Sequence, residues 1–116
     1  MPENNNEKLL DLSTLMEYAD GDEDVLNELI QVFYEETTSA LNALKNGIND
    51  EDTEPWRMAA HRIKGSAGYV GADNLRQLCT EAQQMINSTT EERQACYKNI
   101  ENSYTEVEKN LKEHTS

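Results

Sequence analysis

The chain has few basic residues and no long apolar segment. Its 116 residues include 10 Lys and Arg against 23 Asp and Glu, which gives a formal net charge of −13. A surface with that charge repels nucleic-acid phosphates and anionic membranes. No apolar run approaches the roughly 20 residues of a membrane-spanning helix, and the start, Met-Pro-Glu-Asn-Asn-Asn, forms neither a basic nor an apolar signal region. We therefore expect a cytoplasmic protein that binds no nucleic acid and inserts into no membrane.

Cysteine and histidine are equally scarce. Cys79 and Cys96 form no Cys-x-x-Cys pair or Cys/His cluster, so we expect both to be small core residues in a reducing compartment. The two histidines, His61 and His114, come without an H-E-x-x-H motif, a carboxylate pair or a nucleophile elbow. A hydrolase or a metal enzyme is therefore disfavoured, and we expect no cofactor.

Apolar residues recur at intervals of three and four, and no run of alternating β-branched residues is present. The pattern predicts an all-α fold, an antiparallel up-down four-helix bundle with a short extra N-terminal helix. Residues 1–8 are predicted to be a disordered tail, and residues 9–113 form the bundle domain. The core stripes of the four long helices are predicted to be Leu26, Leu29, Ile30, Phe33, Thr37, Ala40, Leu41 and Leu44; Trp56, Ala59, Ala60, Ile63, Ala67 and Val70; Leu75, Leu78, Cys79, Ala82 and Ile86; and Cys96, Ile100, Tyr104, Val107 and Leu111.

Capping residues predict where these helices begin and end. The short first helix ends near Asp20-Gly21, and the second runs from the acidic residues 22–24 to Gly47. Thr53 is predicted to cap the third helix, which runs to about Val70 and forms a hairpin with the fourth. Thr89 and Glu92 fit a capping box at the start of the last helix.

Residues 61–71 read His-Arg-Ile-Lys-Gly-Ser-Ala-Gly-Tyr-Val-Gly. At about 100° per residue His61 lies roughly 200° from Ile63, so His61 faces solvent when Ile63 faces the core. The helix face on which His61 lies is polar and basic, and it has little side-chain bulk. It carries Arg57, Lys64, Gly65 and Gly68.

Two glycines inside one helix require an explanation, because each costs roughly 1 kcal/mol against alanine. Gly65 and Gly68 permit either the close approach of another molecule or a tight helix contact within the bundle. Their position away from the core stripe favours a docking partner. The recurrence of glycine at 65, 68 and 71 also suggests a phosphate-binding loop, but the preceding strand and the required spacing are missing.

The segment around His61 is locally basic in an acidic chain. Residues 57–76 contain one acidic residue, Asp73. The same range contains four basic residues, which are Arg57, Arg62, Lys64 and Arg76. A positive field of this kind suits a phosphoryl group and an acidic partner pocket, and it is also compatible with an ordinary solvated helix face.

The motif His61-x-x-Lys64-Gly65, followed by small residues, a further glycine and the next helix, resembles that of the histidine-containing phosphotransfer (Hpt) domain. The resemblance covers most of the chain, from the acidic N-terminal helix pair to Gln83. It implies that His61 accepts a phosphoryl group from a receiver-domain aspartate and donates it to another. It further implies that the domain has no ATP site or kinase activity, that the receiver holds the Mg²⁺, and that the partners are response-regulator receiver domains and a hybrid sensor histidine kinase. A monomer is expected.

The resemblance also implies roles for the neighbours of His61. Domains of this family commonly carry a glutamine 22 positions after the histidine, and Gln83 stands there, with Gln84 as the neighbouring candidate. Gln83 would orient the ring and Lys64 would stabilise the phosphoryl oxygens. The receiver is expected to dock on a face made of Arg57, Arg62, Lys64, Gly65, Gly68 and Tyr69. A bundle that binds receivers without being phosphorylated is the alternative.

Overall fold

A computed structural model describes residues 10–115, with side chains described for residues 10–113. The predicted tail of residues 1–8 lies outside this range. Within it the chain forms five helices and no strand: α1 Ser13–Ala19, α2 Glu23–Asn46, α3 Glu54–Tyr69, α4 Asp73–Gln83 and α5 Thr90–Thr115. The predicted all-α bundle of four longer helices preceded by a short one is therefore confirmed.

The N-terminal helices begin and end where the sequence predicts. Asp20 and Gly21 close α1 with positive φ angles of 51° and 81°. The Asp22 side chain then accepts hydrogen bonds from the backbone N–H groups of Asp24 and Val25 at the start of α2. Leu12, Leu15 and Ala19 are buried, so α1 covers one end of the core.

The turn between α3 and α4 brings these helices together as an antiparallel hairpin. Gly71 in this turn has a φ of +62°, and a Cβ there would lie 2.5 Å from atoms of Asp11. The Asp11 N–H donates to the Val70 carbonyl at 3.0 Å. Glycine is therefore required at position 71 by its conformation and by the segment that leads into α1.

The predicted stripes form the core. All six predicted residues of α3 are buried, and so are the central members of the other stripes. The Trp56 indole Nε1 donates to the Ala82 carbonyl at 2.8 Å, which joins the start of α3 to the end of α4. This hydrogen bond satisfies the one polar atom of a fully packed indole.

Two local predictions are wrong. Thr53 has helical backbone angles and its side chain caps nothing; the carboxylate of Asp52 accepts from the Glu54 N–H at 3.0 Å instead. Ile86 is 60% exposed because α4 ends at Gln83, before the stripe reaches it. Of the two cysteines, Cys79 is fully buried and Cys96 is partly buried and packs against the core.

The last helix starts as predicted and is fixed by a residue that the sequence did not single out. The Thr89 hydroxyl accepts from the Glu92 N–H, and the Glu92 carboxylate accepts from the Thr89 N–H, which confirms the capping box. One turn later the buried Arg93 guanidinium donates to the carbonyls of Gly47, Ile48 and Asp50. Arg93 thus joins α5 to the end of α2. No helix in the described part of the chain is long and apolar enough to cross a membrane.

Candidate functional site

His61 lies in the middle of α3 with its side chain exposed. The neighbouring core residues Ala60 and Ile63 are both buried with no exposed surface. The helix is therefore fixed from beneath while the imidazole faces solvent, in agreement with the orientation that the helical period predicts. An imidazole in this position is accessible to the active site of another protein.

Gln83, the last residue of α4, lies beside the His61 ring. The Gln83 side-chain Nε2 is 3.3 Å from Nδ1 of His61. A half-turn of the amide about its last bond exchanges the positions of Nε2 and Oε1. With Oε1 towards the ring, Gln83 accepts from Nδ1–H and leaves the Nε2 lone pair free. Gln84, the alternative, follows the end of α4 and is exposed.

The two glycines that flank His61 on the C-terminal side face open space. Apart from the adjoining residues and backbone of α3 itself, a Cβ added to Gly65 or Gly68 would have no atom within 4 Å. A tight helix contact within the bundle is therefore not the reason for either glycine. Gly47 provides the contrast, because a Cβ there would lie 3.2 Å from the backbone of Trp56.

Acidic side chains partly neutralise the basic residues around His61. Arg57 forms an ion pair with Glu54 in the first turn of α3. Arg62 lies 3.9 Å from the Glu36 carboxylate of α2 and donates to the Ser39 hydroxyl at 3.4 Å.

Lys64 differs from these two arginines. Among residues 10–113, no carboxylate lies within ion-pair distance of its ammonium group. Lys64 follows His61 by three residues, about one turn, and its side chain is partly buried. It therefore supplies a cation next to the imidazole that is not already paired with an acid.

Tyr69 belongs to an apolar groove that sequence reasoning missed. The groove lies where α1, α2 and the end of α3 meet, has a volume of about 370 Å³, and is lined by Leu15, Tyr18, Leu29, Val32, Phe33, Glu36, Ser66 and Tyr69. Tyr18 and Tyr69 are 63% and 51% exposed, and their ring centroids are 6.0 Å apart. The groove depends on how α1 packs across α2 and α3, which no local pattern encodes.

The buried thiol of Cys79, on α4, is unreactive. Desolvation of Cys79 raises the pKa of its thiol to about 12, so the nucleophilic thiolate is scarce at neutral pH. The side chains described here also contain no group of three or more His, Cys, Asp or Glu residues arranged to hold a metal ion. The imidazole of His61, by contrast, is exposed.

The fold and this surface define a helical bundle domain with an exposed histidine on an open helix face rather than inside a cavity. The family model for the Hpt domain matches residues 28–114, a range that contains His61, Lys64 and Gln83. The chain belongs to this family.

Two relatives agree with that assignment. The chain is 25% identical over 83 residues to the signal transduction histidine-protein kinase BarA of Shigella flexneri, covering 72% of this chain and 9% of the kinase. It is 25% identical over 105 residues to the phosphorelay intermediate protein rdeA of Dictyostelium discoideum, covering 90% of this chain and 41% of that protein. The chain thus spans less than half the length of either relative. Family and relatives together support histidine phosphotransfer in two-component signalling.

Proposed function

We propose that this chain relays a phosphoryl group between the aspartates of two receiver domains through His61. In the first step the Nε2 lone pair attacks phosphorus of the aspartyl phosphate. A P–N bond forms while the P–O bond breaks, and its electron pair leaves on the aspartate carboxylate. The second step is the reverse reaction with another receiver. Nδ1 keeps its proton during both steps.

The observation that carries this proposal is the open surface around His61. In-line phosphoryl transfer brings two large groups to opposite sides of one phosphorus atom, so the nucleophile needs space more than it needs a pocket. Gly65 and Gly68 leave that space, and the core beneath α3 holds the helix in place. A receiver can therefore bring its aspartyl phosphate up to Nε2 without displacing a side chain at either glycine.

Lys64 and Gln83 have separate roles in this proposal. Lys64 offers a mobile cation one turn from the imidazole, which stabilises charge on the equatorial phosphoryl oxygens. Gln83 holds Nδ1–H through its amide oxygen, so that Nε2 is the nitrogen with a free lone pair. The first residue acts on the transferred group and the second acts on the nucleophile.

The receiver docks on the His61 face and extends into the apolar groove of Tyr69. Tyr69 follows His61 by eight residues on α3, which is about 12 Å along the helix axis. Tyr18 and Val32 add exposed apolar surface from α1 and α2. Apolar patches rimmed by polar residues are typical of protein interaction sites. Two of the groove residues, Ser66 and Tyr69, lie on the same helix as His61, which supports the assignment of the groove to the same partner. Arg57 and Arg62 form the polar part of the docking face near His61.

The remaining chemistry belongs to the partner in this proposal. The chain acts as a carrier without ATP-dependent kinase activity, and the receiver supplies the Mg²⁺ that its own aspartyl phosphate requires. A hybrid sensor histidine kinase is the expected source of the phosphoryl group. The cytoplasmic location and the monomeric state stay predictions from the sequence.

A reconstituted relay tests the proposal. A donor receiver labelled on its aspartate is incubated with a second receiver, with and without this chain. We expect label to reach the second receiver only when the chain is present, with a labelled form of the chain as intermediate. If the chain binds the donor in a titration but the donor keeps its label, the chain is a scaffold and the relay function is refuted.

A further inference from the structure

Glu54 lies on the same face of α3 as His61. The two residues are seven positions apart, which is two helical turns, and Arg57 lies between them at four positions from His61. At about 100° per residue the three side chains fall within about 60° of one another around the helix. Along this face the helix therefore carries an acidic residue, Glu54, then a basic residue, Arg57, and then His61.

The Arg57 guanidinium is held by Glu54. Its Nε and a terminal nitrogen each donate to a different oxygen of the Glu54 carboxylate. The side chains of Arg57 and Glu54 remain 43% and 57% exposed, so water reaches the pair. An ion pair this exposed is weak, and its arginine can change partners.

Helical side chains lean towards the N-terminus of their helix. The imidazole of His61 consequently extends over the preceding turn, which carries Arg57. A phosphoryl group on Nε2 adds a dianion above that turn, and a guanidinium binds a phosphoryl group through two parallel hydrogen bonds as readily as it binds a carboxylate. A phosphorylated His61 would thus offer Arg57 a second acceptor, one turn towards the C-terminus, whereas Glu54 lies about one turn towards the N-terminus.

We propose that Arg57 is a ligand of the phosphoryl group on His61, and that Glu54 competes with this group for the guanidinium. The inference rests on the proposed function, because it requires phosphohistidine at position 61. In the unphosphorylated protein Arg57 stays with Glu54, and on phosphorylation it turns towards His61. Glu54 thereby sets how strongly the phosphorylated form is stabilised.

Phosphorus NMR of the phosphorylated protein tests this directly. Phosphoramidate is used as the donor, so that no receiver is needed, and the decay of the phosphohistidine signal is followed at mildly alkaline pH and low salt, where the P–N bond is spared from acid hydrolysis. Arg57→Gln removes a ligand of the phosphoryl oxygens, so the signal should decay about threefold faster. Glu54→Gln frees the guanidinium, so the signal should decay more slowly.

The double variant separates competition from simple charge repulsion. If Glu54 acts through Arg57, then Glu54→Gln has no effect in the Arg57→Gln background. Lys98→Gln is the matched control, because Lys98 forms an ion pair with Glu101 at the same spacing on α5; it should leave the decay rate of the phosphohistidine signal unchanged.

The possible failures are distinguishable. A decay rate that stays at the wild-type value in Arg57→Gln overturns the proposal while leaving phosphorylation of His61 intact. An equal response to Glu54→Gln with and without Arg57 shows that Glu54 acts by its own charge, and overturns the competition. If His61 takes label neither from phosphoramidate nor from a receiver, the proposed function falls together with this inference.

Discussion

The contact between Gln83 and His61 predicts a specific tautomer of the ring. Phosphoryl transfer to Nε2 requires the proton on Nδ1, and the Gln83 amide stabilises that form when Oε1 faces the ring. The hydrogen bond is 3.3 Å long, and Gln83 is only partly buried. We therefore assign it about 0.5 to 1 kcal/mol, the lower part of the range for a neutral hydrogen bond. This free energy corresponds to a change of about two- to fivefold in the tautomer ratio.

Nitrogen-15 NMR of the imidazole measures that ratio. We expect a larger fraction of the Nδ1–H form in wild type than in Gln83→Ala, which should shift the ratio towards Nε2–H by about two- to fivefold. Gln83→Glu should keep the Nδ1–H form, because a carboxylate can only accept. Gln84→Ala is the control, since this substitution removes an identical but exposed side chain from the neighbouring position. It should leave the ring resonances unchanged.

Two results would refute this reasoning. In the first, Gln83→Ala leaves the ring resonances and the transfer rate at wild-type values, so the glutamine does not act on the ring. In the second, wild type favours Nε2–H and Gln83→Ala reduces that form, so the amide donates to Nδ1 through Nε2. In that case Gln83 would oppose attack by Nε2 and could not be the residue that prepares His61.

Three further substitutions test other parts of the account. Gly65→Gln places bulk where the structure has open space, so phosphotransfer should be lost while the free energy of unfolding rises by about 0.5 to 1 kcal/mol from helix propensity; normal transfer, or an unfolded variant, would contradict docking there. Lys64→Ala should slow transfer in rapid-quench assays by about tenfold without changing the tautomer ratio, and an unchanged rate would remove Lys64 from the site. Arg93→Met leaves three carbonyls without their donor, so urea denaturation should show a loss of about 2 kcal/mol; a loss below about 0.5 kcal/mol would mean that this buried cation contributes little.

Much of the fold follows from local patterns. The stripe of α3 is predicted without error because Trp56 and Ile63 lie on one side of a regular helix whose period is fixed. The cap at Asp22 and the capping box at Thr89 are equally local, since each needs only a side chain and backbone groups within three residues. Errors arise where neighbouring residues compete for one role, as Asp52 replaces Thr53 at the start of α3.

Features that depend on distant segments were not predictable in this way. Arg93 binds carbonyls more than 40 residues earlier in the chain, and nothing around it in sequence marks it as buried. The apolar groove at Tyr69 requires the position of Tyr18 on α1. At the site, the exposure of His61 follows from the helical period, whereas the pairing of Arg57 with Glu54 shows that a basic segment does not by itself give a positive field.

The central claim is that His61 carries the phosphoryl group. Phosphorylation of variants that each lack one of the two histidines tests it most directly. Wild type, His61→Gln and His114→Gln are incubated with a labelled receiver, after circular dichroism has shown each to be folded, and the label on each chain is measured together with its stability in acid and base. The account predicts that wild type and His114→Gln gain an acid-labile, base-stable label and that His61→Gln gains none. A folded His61→Gln that takes up label as well as wild type does would contradict it.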